Sequence, residues 1–202
     1  MATSPPFLMR RRTVLTGLGS LALAPAFPEV VVAQAARRDV AIGFMERAAK
    51  DLIAAQRAQS PQMFAQALQR HGDMGGIVNV ALGDYASRVS AADKQVLVRG
   101  TTRWLGKYAA QQAPKYPVQT VKFAQESRRA RYGTMVDSTL VLRDGSNYEV
   151  AWLLMGGQNS TYRVRDAQVL NFWMTPFLRR LFEDYINQNG GVPALVNVMS
   201  RH

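Results

Sequence analysis

Cysteine is absent from the 202-residue chain, and histidine occurs only at His71 and His202. One internal histidine and no thiol exclude a His/Cys zinc cluster and a Cys-His catalytic dyad. A Gly-x-Ser-x-Gly nucleophile elbow and a phosphate-binding loop are missing too. Negative charge is in short supply: 14 Asp and Glu stand against 25 Lys and Arg, a formal net charge of +11. No internal repeat is present, and no low-complexity segment beyond the N-terminal stretch.

That stretch reads as an export signal. Arg10, Arg11 and Arg12 form a basic cluster, a mildly apolar run follows from Thr13 to Phe27, and Ala33-Gln34-Ala35 supplies small residues before Ala36. The run is too short, and too interrupted by Gly17, Gly19 and Pro25, to be a stable membrane span. The arginines followed by Thr13, Val14 and Leu15 resemble a twin-arginine signal; an ordinary Sec signal that happens to carry three arginines is the alternative. Replacing Arg11 and Arg12 with Lys is expected to stop processing near Ala36, read as the size of the protein in a periplasmic extract. Unchanged processing rejects the twin-arginine route while leaving secretion standing. An exported chain without cysteine has no disulfides and no acylation site, so residues 36–202 are expected to form a freely soluble single domain that relies on its own core.

The positive excess has three common explanations: nucleic acid, an anionic membrane surface or an acidic partner. Export argues against nucleic acid. So does the dispersal of the charges into short pairs such as Arg37-Arg38, Arg128-Arg129 and Arg179-Arg180. An anionic lipid surface fits better, at roughly 1 kcal/mol per nearby cation. A solvated basic surface with no role is the bland alternative.

The first half, 36–114, reads as helices. Val40, Phe44, Ala48 and Leu52 recur at helical spacing. Ser60-Pro61 starts a second helix carrying Phe64 and Leu68, with His71 as a candidate next position. His71-Gly72-Asp73 and Gly75-Gly76 read as breaks, with His71 on a surface loop, and Ile77 to Leu82 as a short apolar helix. Ser90 with Asp93 caps a long helix that carries Trp104, Leu105 and Tyr108 and ends before Pro114. From 118 to 170 the period changes. Val118–Glu126, Thr134–Leu142, Tyr148–Met155 and Tyr162–Val169 read as four strands joined by short turns, Asp144-Gly145 among them. C-terminal helices occupy 176–200, one from about Pro176 to Asn187 and one from Val192 to Met199. The expected fold is α+β: helices packed on a twisted four-stranded antiparallel sheet with an apolar cleft between them.

Alternation places Tyr148, Val150, Trp152 and Leu154 on one sheet face, and Leu170 to Met174 with Phe177 add a second dense apolar group. Composition alone favours a well-filled core over a cavity. Two readings from other classes stay open: a pocket enzyme using Asp84 and Asp166 as an acid/base pair, and a protein-interaction adaptor with a filled core. Against the enzyme, Asp84 lies near a helix boundary, and Asp166 interrupts an apolar strand, where bulge duty is common.

Three stretches resemble the MlaC/toluene-tolerance family. Leu82-Gly83-Asp84-Tyr85 with Ser90 to Gln95 is similar to its "LG-x-(Y/W) … t-x-x-q" helix start, and Leu105 and Tyr108 resemble the Leu and Tyr of its "f-x-x-x-L-x-x-x-Y" helix, one residue closer together. Tyr162 to Val169 resembles its "W-k-v-x-D-v-x-V" strand, and Phe177 to Phe182 with Gly190 to Leu195 its "n-Y-R-x-q-F … G-x-x-x-L" tail. The chain departs from the pattern at Tyr162, at Leu178-Arg179, and at Leu170 to Met174, where the family shows "E-G-v-S-l".

The resemblance implies a periplasmic carrier, not an enzyme. It would bind phospholipid, or a hopanoid-like lipid as in a related branch, without a cofactor or metal. It would shuttle, as a monomer, between an outer-membrane lipoprotein complex and an inner-membrane ABC transporter complex. Lipid contacts are then expected from Trp104, Leu105 and Tyr108 on the long helix and from Val136, Leu140, Val150, Trp152, Leu154 and Val169 on the sheet. Phe172, Trp173 and Phe177, where the last strand meets a helix, are expected at the cleft wall or its entrance.

Overall fold

Asp39 opens the helical half. Its carboxylate accepts the amides of Ala41 and Ile42 at 2.8 and 3.2 Å and so caps α1, Val40–Arg57. The computed structural model describes residues 39–157 and 160–202; the export signal read at 1–35 lies outside the described residues. The buried stripe of α1 is Ala41, Phe44, Met45, Ala48 and Ala55, whereas Val40, which the periodicity placed inside, is 73% exposed. Ser60 caps α2, Pro61–His71, through the amide of Met63.

His71 corrects the sequence reading. It is the last residue of α2, buried, and its Nε2 meets Asp51 Oδ2 of α1 at 2.8 Å, while Phe44 packs edge-on against its ring at 5.6 Å. A polar ring here is satisfied by one carboxylate, so it locks the α1–α2 hairpin instead of facing solvent.

The next helix also begins earlier than its apolar run suggests. Asp73 accepts the Gly76 amide and starts α3, Met74–Leu82, so Gly75 and Gly76 are helical. A Cβ at Gly76 would collide with the guanidinium of Arg165, so a larger residue there would displace that side chain from its pairing with Asp73. After a 3-10 stretch, Gly83–Arg88, Ser90 and Asp93 cap α4, Ala91–Gln112.

The antiparallel sheet has six strands: four long, as expected, and two short ones that the sequence did not announce. They are β1 (Val118–Phe123), β2 (Arg128–Ala130), β3 (Gly133–Leu142), β4 (Asn147–Gly157), β5 (Ser160–Val169) and β6 (Phe172–Trp173), in spatial order β1-β3-β4-β5-β6 with β2 also on β3. The expected first strand thus ends at Phe123, and β2 continues the same edge further along β3. The pairings Val136↔Trp152, Ser138↔Val150 and Thr134↔Leu154 put Val136, Leu140, Val150, Trp152 and Leu154 on one face. A register shift between Leu153 and Leu154 leaves a bulge in β5 at Arg165.

That bulge frees Asp166, whose Oδ1 accepts the amide of Thr175 at 2.9 Å. The contact helps start α5, Met174–Gln188, two residues before Pro176, at an end where Trp173 offers no side-chain cap. Helix α6, Val192–Ser200, follows after Gly190 and Gly191, both at positive φ.

Two cores result. Val78, Leu82, Leu97, Leu178, Phe182 and Leu195 join α3, α4, α5 and α6. Ala41, Ile42, Phe44 and Met45 of α1 pack with Val136 and Leu154 of the sheet.

Candidate functional site

Between α1 and the β1-β3-β4 side of the sheet lies a cavity of about 180 Å³. Helix α1 lines it with Met45, Ala49, Leu52, Ile53 and Gln56, which fall on one side because they are spaced by four, three, one and three residues. Phe64 of α2 closes one side. The sheet supplies Val118, Val121 and Phe123 from β1, Leu140 from β3 and Trp152 from β4. Gln56 is the one amide side chain in this lining, and no charged residue belongs to it. Along α1 the lining runs from Met45 to Gln56, roughly 16 Å at 1.5 Å per residue.

Trp152 is fixed by a polar contact. Its Nε1 donates to Ser138 Oγ at 2.8 Å, and that hydroxyl, itself buried, donates to the Val150 carbonyl at 3.3 Å. The indole therefore has its only polar atom satisfied on the sheet and can present carbon to the cavity.

Helix α1, the opposite wall, is tied at two points. Asp39 Oδ2 accepts both the amide and the hydroxyl of Ser127 at 2.8 Å, joining the start of α1 to the β1–β2 connection. Partial burial works to raise the Asp39 pKa, but the Ser127 bonds and the Ile42 and Ala41 amides outweigh it, and the net direction is downward. Asp51 is held below the usual carboxylate range, first by its hydrogen bond from His71 and then by Arg70, which approaches to 2.7 Å.

The residues expected to touch lipid divide into three groups. Leu140 and Trp152 line the cavity. Val136, Val150 and Leu154 share their sheet face but are buried, Val136 and Leu154 directly against α1; Val169 pairs with Val150 on that face.

The others are not brought to the cavity. Trp104 packs on the α3–α6 core and stacks on Tyr108 at 5.8 Å, with Tyr108 about half exposed and Leu105 partly buried on the same helix. Phe172 and Phe177 are exposed and Trp173 is half-buried. Leu170, Met174 and Leu181, near them along the chain where β6 meets α5, are exposed as well. The Leu170-Asn171 turn, both residues at positive φ, projects Leu170 outward.

Sequence reasoning missed the contribution of α1 and β1 to the lining. The signal was a further set of apolar residues on α1, Ala49, Leu52 and Ile53, beside the stripe that packs on the sheet. One helix that buries a single face needs only that stripe.

The two carboxylates weighed as an acid/base pair have structural surroundings. Asp84 is 97% exposed with Arg179 at 3.9 Å, and Asp166 accepts the amides of Ala167 and Thr175. Neither lines the cavity. Among the described residues, no group of three or more His, Cys, Asp or Glu could hold a metal ion. No described helix is long and apolar enough to cross a membrane.

A helical hairpin closed over one face of an antiparallel sheet, with an apolar void between the layers, defines an α+β cavity protein. The chain belongs to the MlaC protein family, whose model matches residues 44–201. A solved structure of similar fold is the phospholipid-binding protein from Ralstonia solanacearum in complex with a phospholipid. Its TM-score is 0.63 at 21% identity, covering 79% of this chain and 94% of that one. No curated protein matches the sequence.

Proposed function

We propose that this protein is a soluble periplasmic lipid carrier that encloses the acyl chains of a phospholipid between α1–α2 and the sheet and performs no chemistry on them. The observation that carries the reading is the uncharged, nearly all-apolar cavity at the helix–sheet interface of a member of this family. A relative of the same fold, described as phospholipid-binding, supports the ligand class. In this reading Leu140 and Trp152 touch the chains directly, Val136, Val150 and Leu154 form the floor beneath them, and the headgroup stays near the mouth. The carrier acts as a monomer without a cofactor. It receives and delivers lipid at an outer-membrane lipoprotein complex and an inner-membrane ABC transporter complex.

The cavity volume sets a condition. At about 180 Å³ it is far less than a diacyl lipid occupies. Loading therefore requires the α1–α2 hairpin, held together internally by Asp51 and His71, to lift from the sheet. The transfer energetics keep such a carrier reversible. Burying one CH₂ from water is worth about 0.8 kcal/mol, so about thirty such groups would give roughly 24 kcal/mol, beyond any non-covalent affinity. The relevant reference is the bilayer, where the chains are already dry, so net transfer lies near zero and the shuttle stays reversible.

Native mass spectrometry of protein purified from its own periplasm tests the reading. A mass increment that fragments to a diacyl lipid is the expected result, and a polycyclic triterpenoid increment would shift the ligand to the hopanoid-like class. A protein that carries no lipid and takes none from phospholipid vesicles overturns the proposal.

A further inference from the structure

A second and larger groove lies on the other side of α2. It runs between α2 and α4, encloses about 650 Å³, and shares no lining residue with the cavity under α1. Its α4 wall carries Arg99, Arg103 and Lys107, one helical turn apart. Its α2 wall carries Gln62, Gln66 and Gln69, again on one side of the helix. Ala65 and Val98 lie between the two rows. Arg163 of β5 also lines the groove, with its guanidinium donating to the carbonyls of Gln69 and Arg70 at 2.9 Å each.

The charge in this groove is unbalanced. Among the described residues, neither Arg99 nor Arg103 has a carboxylate partner, and Lys107 Nζ meets only the ring nitrogen of His202, at 3.4 Å. Asp73, the one acidic side chain in the lining, is already engaged by Arg165. Like charges one turn apart destabilise a helix. Three of them in a row facing a row of amides is therefore an arrangement that packing does not explain.

We infer that this groove docks an acidic peptide segment of a partner protein in extended conformation. Successive cations on α4 rise by about 6 Å, and alternate side chains of an extended strand repeat at about 6.6 Å, so carboxylates at every second residue meet Arg99, Arg103 and Lys107 in register. The glutamine amides, which both donate and accept, match the N–H and C=O groups of the peptide backbone on the facing side. A phosphate is compact and is held by cations that converge on it; these are strung along the groove instead. A flat membrane surface does not reach the floor of a groove. The inference does not depend on the lipid reading, because the two sites share no residue.

Fluorescence anisotropy of a fluorescein-labelled hexaglutamate peptide, titrated with the whole mature protein, tests it. Saturable binding that weakens with added salt is expected. Arg103→Glu should weaken it at least roughly tenfold by reversing a central charge of the docked pair set. Arg143→Glu, the same charge change at the exposed start of the β3–β4 turn, should weaken it less than about twofold. Both side chains are exposed, so both variants keep the fold, which circular dichroism checks. Equal loss in the two variants would reduce the effect to net charge and overturn the site. So would displacement of the peptide by millimolar inorganic phosphate, which makes the groove a phosphate site. Failure of the peptide to bind, while phosphatidylglycerol vesicles bind in an Arg103-dependent way, would overturn it in favour of a lipid headgroup.

Discussion

Leu154→Asp is expected to eliminate the folded protein. Leu154 has no exposed surface and sits at the centre of the core in which Ile42, Phe44 and Met45 of α1 meet Val136 of the sheet. Truncating such a side chain removes about 2–5 kcal/mol, and burying a polar group without a partner adds roughly 2–7 kcal/mol. A domain of this size has about 5–15 kcal/mol in total. The acidic side chain would be placed among the apolar side chains of Ile42, Phe44, Met45 and Val136. Leu154→Ala removes the same contacts without the polar cost and should remain folded with a lowered melting temperature. Thermal melts by circular dichroism separate the two. A Leu154→Asp protein that melts within a few degrees of wild type would mean that α1 does not rest on this strand, and the second core described above would be wrong.

Position 154 also shows which parts of this molecule are legible in sequence. The period-2 pattern put Val150, Trp152 and Leu154 on one face, and the pairing to Val136 and Leu140 follows from the same alternation. Caps were legible for the same local reason: Ser60 before Pro61, and Ser90 three residues before Asp93, announce helix starts through bonds within one turn.

What escaped depends on partners far along the chain. Gly76 looks like part of a break until Arg165 arrives from β5 to fill the space that its Cβ would take. Pro176 looks like the first residue of a helix until Asp166, also on β5, holds the amide of Thr175 and extends that helix backward. His71 looks like a loop residue because its satisfying carboxylate is on another helix.

The site divides along the same line. On the sheet, alternation placed Leu140 and Trp152 on the face that lines the cavity, whereas Val118, Val121 and Phe123 of the edge strand β1 were not singled out. The helix half was not readable, because apolar residues on α1 that pack and those that line a void look identical in one sequence. The aromatic residues of α4 illustrate the converse. Trp104 and Tyr108 have the size and spacing of cavity residues, yet the helix that carries them packs on α2, α3 and α6 rather than on the sheet.

Ala49→Trp is the change expected to have the largest effect on lipid handling while leaving the fold in place. Ala49 lines the cavity from the middle of α1, opposite the sheet, and is only partly buried. An indole at that position points into the 180 Å³ space and occupies most of it. Filling a void adds contacts and need not overpack, so the melting temperature should stay within about 5 °C of wild type, given that 1 kcal/mol corresponds to roughly 2–4 °C at this size. Lipid occupancy, read by native mass spectrometry of protein purified in parallel, should fall at least about tenfold, since an indole filling the cavity from the α1 wall excludes the acyl chains from it. Arg103→Glu, on the far side of α2, should keep wild-type occupancy. The opposite pattern, with lipid retained in Ala49→Trp and lost in Arg103→Glu, would move the lipid to the α2–α4 groove and overturn both the cavity assignment and the acidic-peptide site. Retention in both would place the chains against some surface other than these two.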